Sequence, residues 1–587
     1  MARTLRQTLP AACVWLTLLF VFHVLWQPAM ADEASDRYAV AAGHYAQSRW
    51  QLAVDEFRRF LDEHPNHAKA NEATFFLAEA LLQSGRTSEA EAFFRQYLGR
   101  EPKGKYLRPA LFRAGEAAYL GGKHDLARAD LRRFRSEFPD DKLNAYVLPY
   151  LGDIALGQAD VIAAARCFRD GLTQYPQGPM QDDCRFGLAR ALEQENQNEE
   201  AARLYMAVAA KTGNPLADDA QFHLGALQYA GGDFADAIET FVTLETNFPE
   251  SPWLAKAKLG RGWALRNLDR PEEAKPLFES LVDDPTIGVE ARYWLGLTQK
   301  KQQDFDAAAE TLLATIEAAG PDHPLASDIR YHTGDALLRL GQIEAAAEQF
   351  DQVIASSAAD STWIDDALLG KVQAALELKD HAAVDQAAAQ FGERFPDSPL
   401  KTSIQRLVAR SRLMRRDYDG AVESIEPIVA ASSAVGIHDE QVLEDRYLLA
   451  LGMEGQERYE DALEVLTPVL NAPNENAAVG PLKADAQLTH GSILVAMKRY
   501  ADAVEPLQAF LAGEPDGTQP SGEEPDIDSR VKARGELAIC FARTDRLDEA
   551  KKLYAELLQE FPTHELIGPT TEQLAEAAYD AGDARWS

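Results

Sequence analysis

The sequence predicts an all-α protein, a right-handed α-solenoid of about fourteen helical hairpins closed by a C-terminal capping helix. Three observations predict it. First, a small residue, an Ala twelve positions on, and an aromatic or Leu four further recur along the chain, as in Gly225, Ala237 and Phe241. The second position returns at Ala53, Ala90, Ala127, Ala164, Ala201, Ala237, Ala274, Ala308, Ala346, Val384, Ala421, Ala462, Ala503 and Ala550, with early steps of 36 or 37 residues. A fixed period of that length marks stacked supersecondary units, none of which buries its apolar stripe alone. Second, apolar residues inside each unit fall at helical spacing, and no period-2 run stands out. Third, 587 residues exceed one compact core, a limit that a stack escapes by growing lengthwise.

The first element, 1–31, reads as a signal peptide. Arg3 and Arg6 give a positive start, Ala11 to Trp26 is a charge-free apolar run, and Ala29-Met30-Ala31 offers the small residues a signal peptidase reads. Cleavage after Ala31 leaves an exported chain, periplasmic or secreted. The sixteen-residue run is shorter than the about 20 apolar residues that span a bilayer. An uncleaved N-terminal anchor is the other reading, and no later segment could cross a membrane.

The second element, 32–284, is the regular array. In residues 218–249, Phe222, Leu224, Gly225, Leu227 and Gln228 mark one helical face. Gly231-Gly232 ends that helix, and Asp233 is the expected N-cap of the next. Phe234, Ala237, Ile238, Phe241 and Leu244 form its stripe, and Phe248-Pro249 stops it. Ser251-Pro252, like Ser398-Pro399, reads as N-cap plus first-turn Pro of the following helix. Gly225 and Ala237 are small because the two helices approach closely there, and the aromatic fills the gap to the next hairpin.

These residues resemble the tetratricopeptide repeat. Its small eighth residue matches Gly115, Gly152, Gly225, Gly262, Gly296, Gly334 and Gly491. Its aromatic matches Phe57, Phe94, Phe168, Tyr205, Phe241, Phe278, Phe350 and Tyr554, and its closing Pro matches Pro65, Pro102, Pro139, Pro176, Pro249, Pro396, Pro515 and Pro562. The period departs from the repeat's usual length by being mostly 37, and one unit carries Val372 and Ala388 in place of Gly and aromatic. With a signal segment in front, the repeat style is similar to that of periplasmic tetratricopeptide proteins of bacterial envelopes, the outer-membrane assembly lipoproteins and the Tol-Pal coordinators. That resemblance implies a non-enzymatic protein-binding scaffold in the cell envelope. The alternative is a chaperone or receptor that captures a peptide in the concave groove.

The third element, 285–569, is a less regular array with insertions at Ala431–Gln441, Asn471–Pro481 and Gly513–Ser529. All fall between units, so they project from one edge, as a binding edge or as tolerated slack. The last element, 570–587, reads as a capping helix and tail, with Thr570 and Gln573 at capping-box spacing.

Net charge is −34, which argues against nucleic acid as a partner and leaves other proteins or peptides. Catalytic signatures are absent, and neither a cofactor nor a metal is expected. His64 and His67 flank a turn, where a metal pair and a solvated cap are the two readings. Cys167, Cys184 and Cys540 read as small buried hydrophobes, with a Cys167–Cys184 bridge as the alternative.

Candidate partner-binding residues come from three features. A basic stretch from Arg95 to Arg135 includes Arg108 and Arg113, and reads as a docking site for an acidic partner or as a solvated outer face. Arg406 and Arg410 share a helical face that the repeat register makes concave, where they could clamp a carboxylate. Tyr119, Tyr229 and Trp263 fall near positions that line the groove of such repeats, or else belong to the inter-repeat core.

Overall fold

The computed structural model describes residues 33–356, 362–432, 439–473, 479–512, 527–580, 582–583 and 586. The signal segment and most of the three insertions lie outside the described residues. Within them the chain forms fourteen antiparallel helical hairpins and one further helix, numbered here from α1 (Glu33–Ala46) to α29 (Ile567–Asp580). In each hairpin an A helix is followed by a B helix. The sixth, for example, is α11 (Ala217–Gly231) and α12 (Phe234–Asn247). The hairpins fall into two compact units that divide at Ala291 and Arg292.

Each hairpin packs through the predicted small-residue contact. A Cβ placed on Gly225 would lie 2.6 Å from Cε1 of Phe241, and one on Gly334 would lie 2.7 Å from Cε1 of Phe350. The aromatic also meets a second glycine, on the next A helix: a Cβ on Gly260 would come within 2.8 Å of Phe241, and one on Gly370 within 2.5 Å of Phe350. Phe241 and Phe350 are therefore clamped between two backbones and are fully buried. The irregular unit keeps the hairpin form as α19 (Ile364–Glu377) and α20 (His381–Arg394), with Val372, Val384 and Phe391 all buried.

Every A–B turn contains one residue at positive φ. Gly occupies it at Gly85, Gly122, Gly232 and Gly341, and non-glycine residues do so elsewhere, among them Ser48, Ala159, Asn196, Asp269, Lys379 and Lys498. The tight reversal demands left-handed backbone whichever residue is present.

Three expected caps are revised. Asp233 is at the N-cap position of α12 but its side chain accepts no capping bond, whereas Asp160, Asp304 and Asp380 do cap their helices. Ser251-Pro252 precedes the helix, since α13 (Leu254–Asn267) starts two residues after the proline. Ser251 Oγ instead accepts the Trp253 amide at 3.2 Å and donates to Asp218 at 2.7 Å, tying the connecting turn to the previous hairpin. Ser398 does the same with Leu400 and Asp365. Thr570 lies inside α29, where its hydroxyl donates to the Leu566 carbonyl at 2.7 Å. The chain had already turned helical at Ile567, so no capping box forms there.

Consecutive A helices also touch one another, as α7 (Asn144–Gly157) touches α9 (Gln181–Gln194). Within the first unit that contact brings the A helices side by side, so that their outward residues lie on one shared face.

Candidate functional site

The shared face of the A helices in the first unit carries most of the predicted groove residues. Arg113, on α5 (Leu107–Leu120), is nearly buried between carboxylates: Nε is 3.2 Å from Glu79 and Nη1 is 2.5 Å from Glu116. Burial disfavours its charged form, yet the two carboxylates more than compensate and hold the guanidinium ionised. Arg113 is thus a strut between two hairpins. Arg108 plays the same part at the edge, with both ends of its guanidinium on Asp141 and Nη2 to Oδ1 at 2.8 Å.

Tyr119, farther along α5, donates to Asp153 Oδ2 at 2.9 Å and leans on Tyr150, with ring centroids 4.7 Å apart. Tyr150 in turn donates to Glu116 at 3.3 Å. Asp153 is exposed, but surrounding protein removes part of its hydration and raises its carboxyl above the usual range, against the hydrogen bond from Tyr119 and the field of Arg190. Asp183 opens α9 one hairpin on and has no ion pair among the described residues. Desolvation, then repulsion from Asp153 and Asp182, pushes its carboxyl up to about 6. Two carboxylates therefore lie near one another without an ion pair among the described residues, beside the half-buried ring of Tyr119 and above the buried ring of Tyr150.

Farther along, Tyr229 and Trp263 sit in consecutive A helices with rings 5.8 Å apart, and the Tyr229 hydroxyl accepts from Asn267 Nδ2 at 3.3 Å. Both are partly exposed, and Tyr229 also packs against the buried cluster around Ala237 and Phe241. Between the two patches, Glu193 receives the Tyr205 hydroxyl at 2.7 Å and lies 3.4 Å from His223 Nδ1.

The second unit places Arg406 and Arg410 together on α21 (Lys401–Met414), as their spacing predicts, but neither is open. Arg406 makes a bidentate pair with Asp445, at 2.6 and 2.9 Å, on α23 (Glu440–Gly455), and Asp445 is fully buried. Arg410 pairs with Glu444 of the same helix. The pair clamps carboxylates of its own chain. Much of the basic stretch behaves alike: Arg95 holds Glu91 and Asp130, Lys123 holds Glu91, and Arg135 holds Asp170. Partners one repeat away in sequence were the missed signal.

Cys167, Cys184 and Cys540 are free thiols, and burial raises all three above their ordinary pKa. His67 Nδ1 accepts the Lys69 amide at 3.2 Å, so the turn reading of that residue holds. No cluster of three or more His, Cys, Asp or Glu fit for a metal occurs among the described residues. No helix there is long and apolar enough to cross a membrane.

Family comparison agrees with the geometry. Tetratricopeptide repeat profiles match residues 38–105, 151–215, 186–252, 259–324 and 295–361, and 109–141 and 536–564, together more than half of the chain. No curated protein matches. Among solved structures, the chain is similar to one in the APC/C hetero-tetramer Cut9–Hcn1, at 12% identity and TM-score 0.34, over 86% of this chain and 97% of that one. It is similar to a tetratricopeptide repeat protein from Parabacteroides merdae, at 16% identity and TM-score 0.34, over 46% of this chain and 98% of that one. It is also similar to YrrB, a tetratricopeptide repeat protein with an unusual peptide-binding site, at 20% identity and TM-score 0.28, over 34% and 95%. The repeat profiles and the hairpins they fall on place the chain in the tetratricopeptide repeat family, whose members generally act as non-enzymatic scaffolds for protein or peptide partners.

Proposed function

We propose that this chain is a protein–protein interaction scaffold of the cell envelope, exported by its N-terminal segment, which engages partner segments on the A-helix face of its first seven hairpins. One observation carries the choice of face. Asp153 and Asp183 make no ion pair among the described residues, with Tyr119 beside them and Arg190 acting on Asp153 only through its field, whereas Arg113, Arg406 and Arg410 are neutralised within the chain. A Lys or Arg of a partner would pair with these carboxylates, and the half-buried ring of Tyr119 would cover its aliphatic stem. The same observation favours a second reading, a receptor or chaperone that holds one extended peptide there. Stoichiometry separates the two, since a scaffold holds folded partners at several surfaces at once.

Short peptides alternating Lys or Arg with apolar residues test the face directly by titration calorimetry. The expected result is binding that weakens about tenfold in Asp153→Asn/Asp183→Asn. Equal affinity for both proteins would move the site elsewhere. Location is tested separately, by fractionation and by sequencing the mature N-terminus, with cleavage after Ala31 expected.

A further inference from the structure

The B helices of the first unit carry an arginine register that the groove does not use. Arg58, Arg95, Arg132 and Arg169 recur at one position in four consecutive hairpins, each 37 residues after the last. Arg58 is held by Glu89, and Arg95 by Glu91 and Asp130. Arg132 on α6 (His124–Glu137) and Arg169 on α8 (Val161–Gln174) have no ion pair among the described residues, and both are exposed. One turn earlier on α8, and at the matching position of α10 (Asn198–Ala209), Arg166 and Arg203 are likewise exposed and unpaired. Ile162 and Met206 complete this face and are 68% and 55% exposed, beyond almost every other large apolar side chain described.

The acidic groups nearby do not neutralise it. Asp170 is taken by Arg135 at 2.8 Å and Glu137 by Arg133 at 2.7 Å, while Glu199, in the register of Ile162, and Glu200 lie four and three residues before Arg203 and make no ion pair with it among the described residues. Four uncompensated guanidiniums around two exposed apolar side chains are unusual on a chain of net charge −34.

We propose that the outer face of α6, α8 and α10 is a second docking surface, for an acidic segment of a partner protein that carries apolar residues between its carboxylates. Arginine forks suit carboxylates bidentately. Ile162 and Met206 give the apolar residues something to bury, and the unbranched thioether of Met206 adapts its shape to the partner. Because this face lies on the B helices, it can be occupied while the A-helix face holds another partner, as a scaffold requires.

The test uses the mature full-length chain and a fluorescent peptide alternating Glu with Leu, followed by anisotropy. Binding is expected to weaken with salt and to fall about tenfold or more in Arg132→Glu/Arg166→Glu/Arg169→Glu/Arg203→Glu. A poly-Glu peptide of equal charge should bind more weakly than the Glu-Leu peptide. Ile162→Ser/Met206→Ser should erase that difference while leaving the poly-Glu affinity in place. All six side chains are on the surface, so circular dichroism and melting should match the parent. Unchanged Glu-Leu binding in the quadruple variant overturns the proposal. So does tighter, arginine-dependent binding to vesicles containing anionic lipid, which would make the face a membrane contact. Arginine-dependent dimerisation seen by sedimentation would likewise overturn it, by making the occupant a second copy of the chain.

Discussion

Trp363 lies flat on Tyr331, with ring centroids 4.4 Å apart and planes 15° from parallel, although the two residues belong to consecutive hairpins. The indole N–H donates to Asp328 at 2.8 Å, so one side chain makes a stack and a hydrogen bond at once. Trp253 repeats the device on Phe222 and Asp219, and Tyr106 does so on Phe75 and Glu72. In each case a ring in the connecting turn is clasped by a carboxylate and an aromatic on the preceding A helix.

These clasps join hairpins, so breaking one should loosen a joint rather than melt a hairpin. Trp253→Ala is expected to cost about 2–4 kcal/mol. Trp253→Phe keeps the stack, loses the bond to Asp219, and should cost about 1 kcal/mol. Urea unfolding gives the totals. Hydrogen exchange should rise first where α11 meets α13, and uniform acceleration along the unit would contradict this assignment.

Glycine at the hairpin contact should resist the usual gain from alanine. Gly225→Ala adds a methyl 2.6 Å from Phe241 and should destabilise by about 1–3 kcal/mol, despite alanine's better helix propensity. Gly43 and Gly99 lie in helices with nothing within 4 Å of a new Cβ, so the same change there should stabilise by up to about 1 kcal/mol. Paired thermal melts compare the two classes.

The turn residue predicts the opposite substitution. Ala159 holds φ +60°, a conformation that costs an L-residue about 1 kcal/mol. Ala159→Gly should stabilise by about 0.5–1 kcal/mol, less the entropy that glycine adds to the unfolded chain. A drop in the urea midpoint would mean the turn is not strained.

Much of this was legible before any coordinates. The small residue, the Ala and the aromatic must coincide wherever two helices and a neighbour meet, so their spacing carries the hairpins, the period and the buried ring. The non-glycine turns were hidden, because Ser48, Ala159 or Lys379 gives no local sign of left-handed backbone. The state of the arginines was hidden as well. Arg108 meets Asp141 across 33 residues and Arg406 meets Asp445 across 39, distances that a scan for local charge clusters passes over. Reading opposite charges one repeat apart would have found both.

Arg406 is accordingly a structural residue. Asp445 is fully buried, and Arg406→Ala would leave its charge uncompensated, at a cost of about 3–5 kcal/mol. Replacing both, as Arg406→Met/Asp445→Leu, should recover most of that loss. A double-mutant cycle by urea unfolding measures the coupling, and independent, additive effects would show that the pair is not coupled.

Asp183 sets a pH dependence of known sign. Its folded carboxyl titrates at about 6, above the unfolded value, so the folded state binds this proton more tightly. The stability that proton contributes is full below about pH 4 and is lost as pH rises through 6. Asp183→Asn should therefore exceed the parent at pH 7 by up to about 2 kcal/mol, with the gap closing by pH 4. A gap that is constant with pH would contradict the raised value.

Under the proposed function, partners lie against the A-helix face of the first seven hairpins. A photo-crosslinking amino acid placed at Tyr119, Tyr229 or Trp263, and for comparison at Val242 on the outer face of α12, tests it in cells. Discrete partner adducts are expected from the first three positions, diminished by Asp153→Asn/Asp183→Asn, and none of those adducts from position 242. Adducts from position 242 alone, or from all four positions alike and indifferent to the two carboxylates, would contradict it.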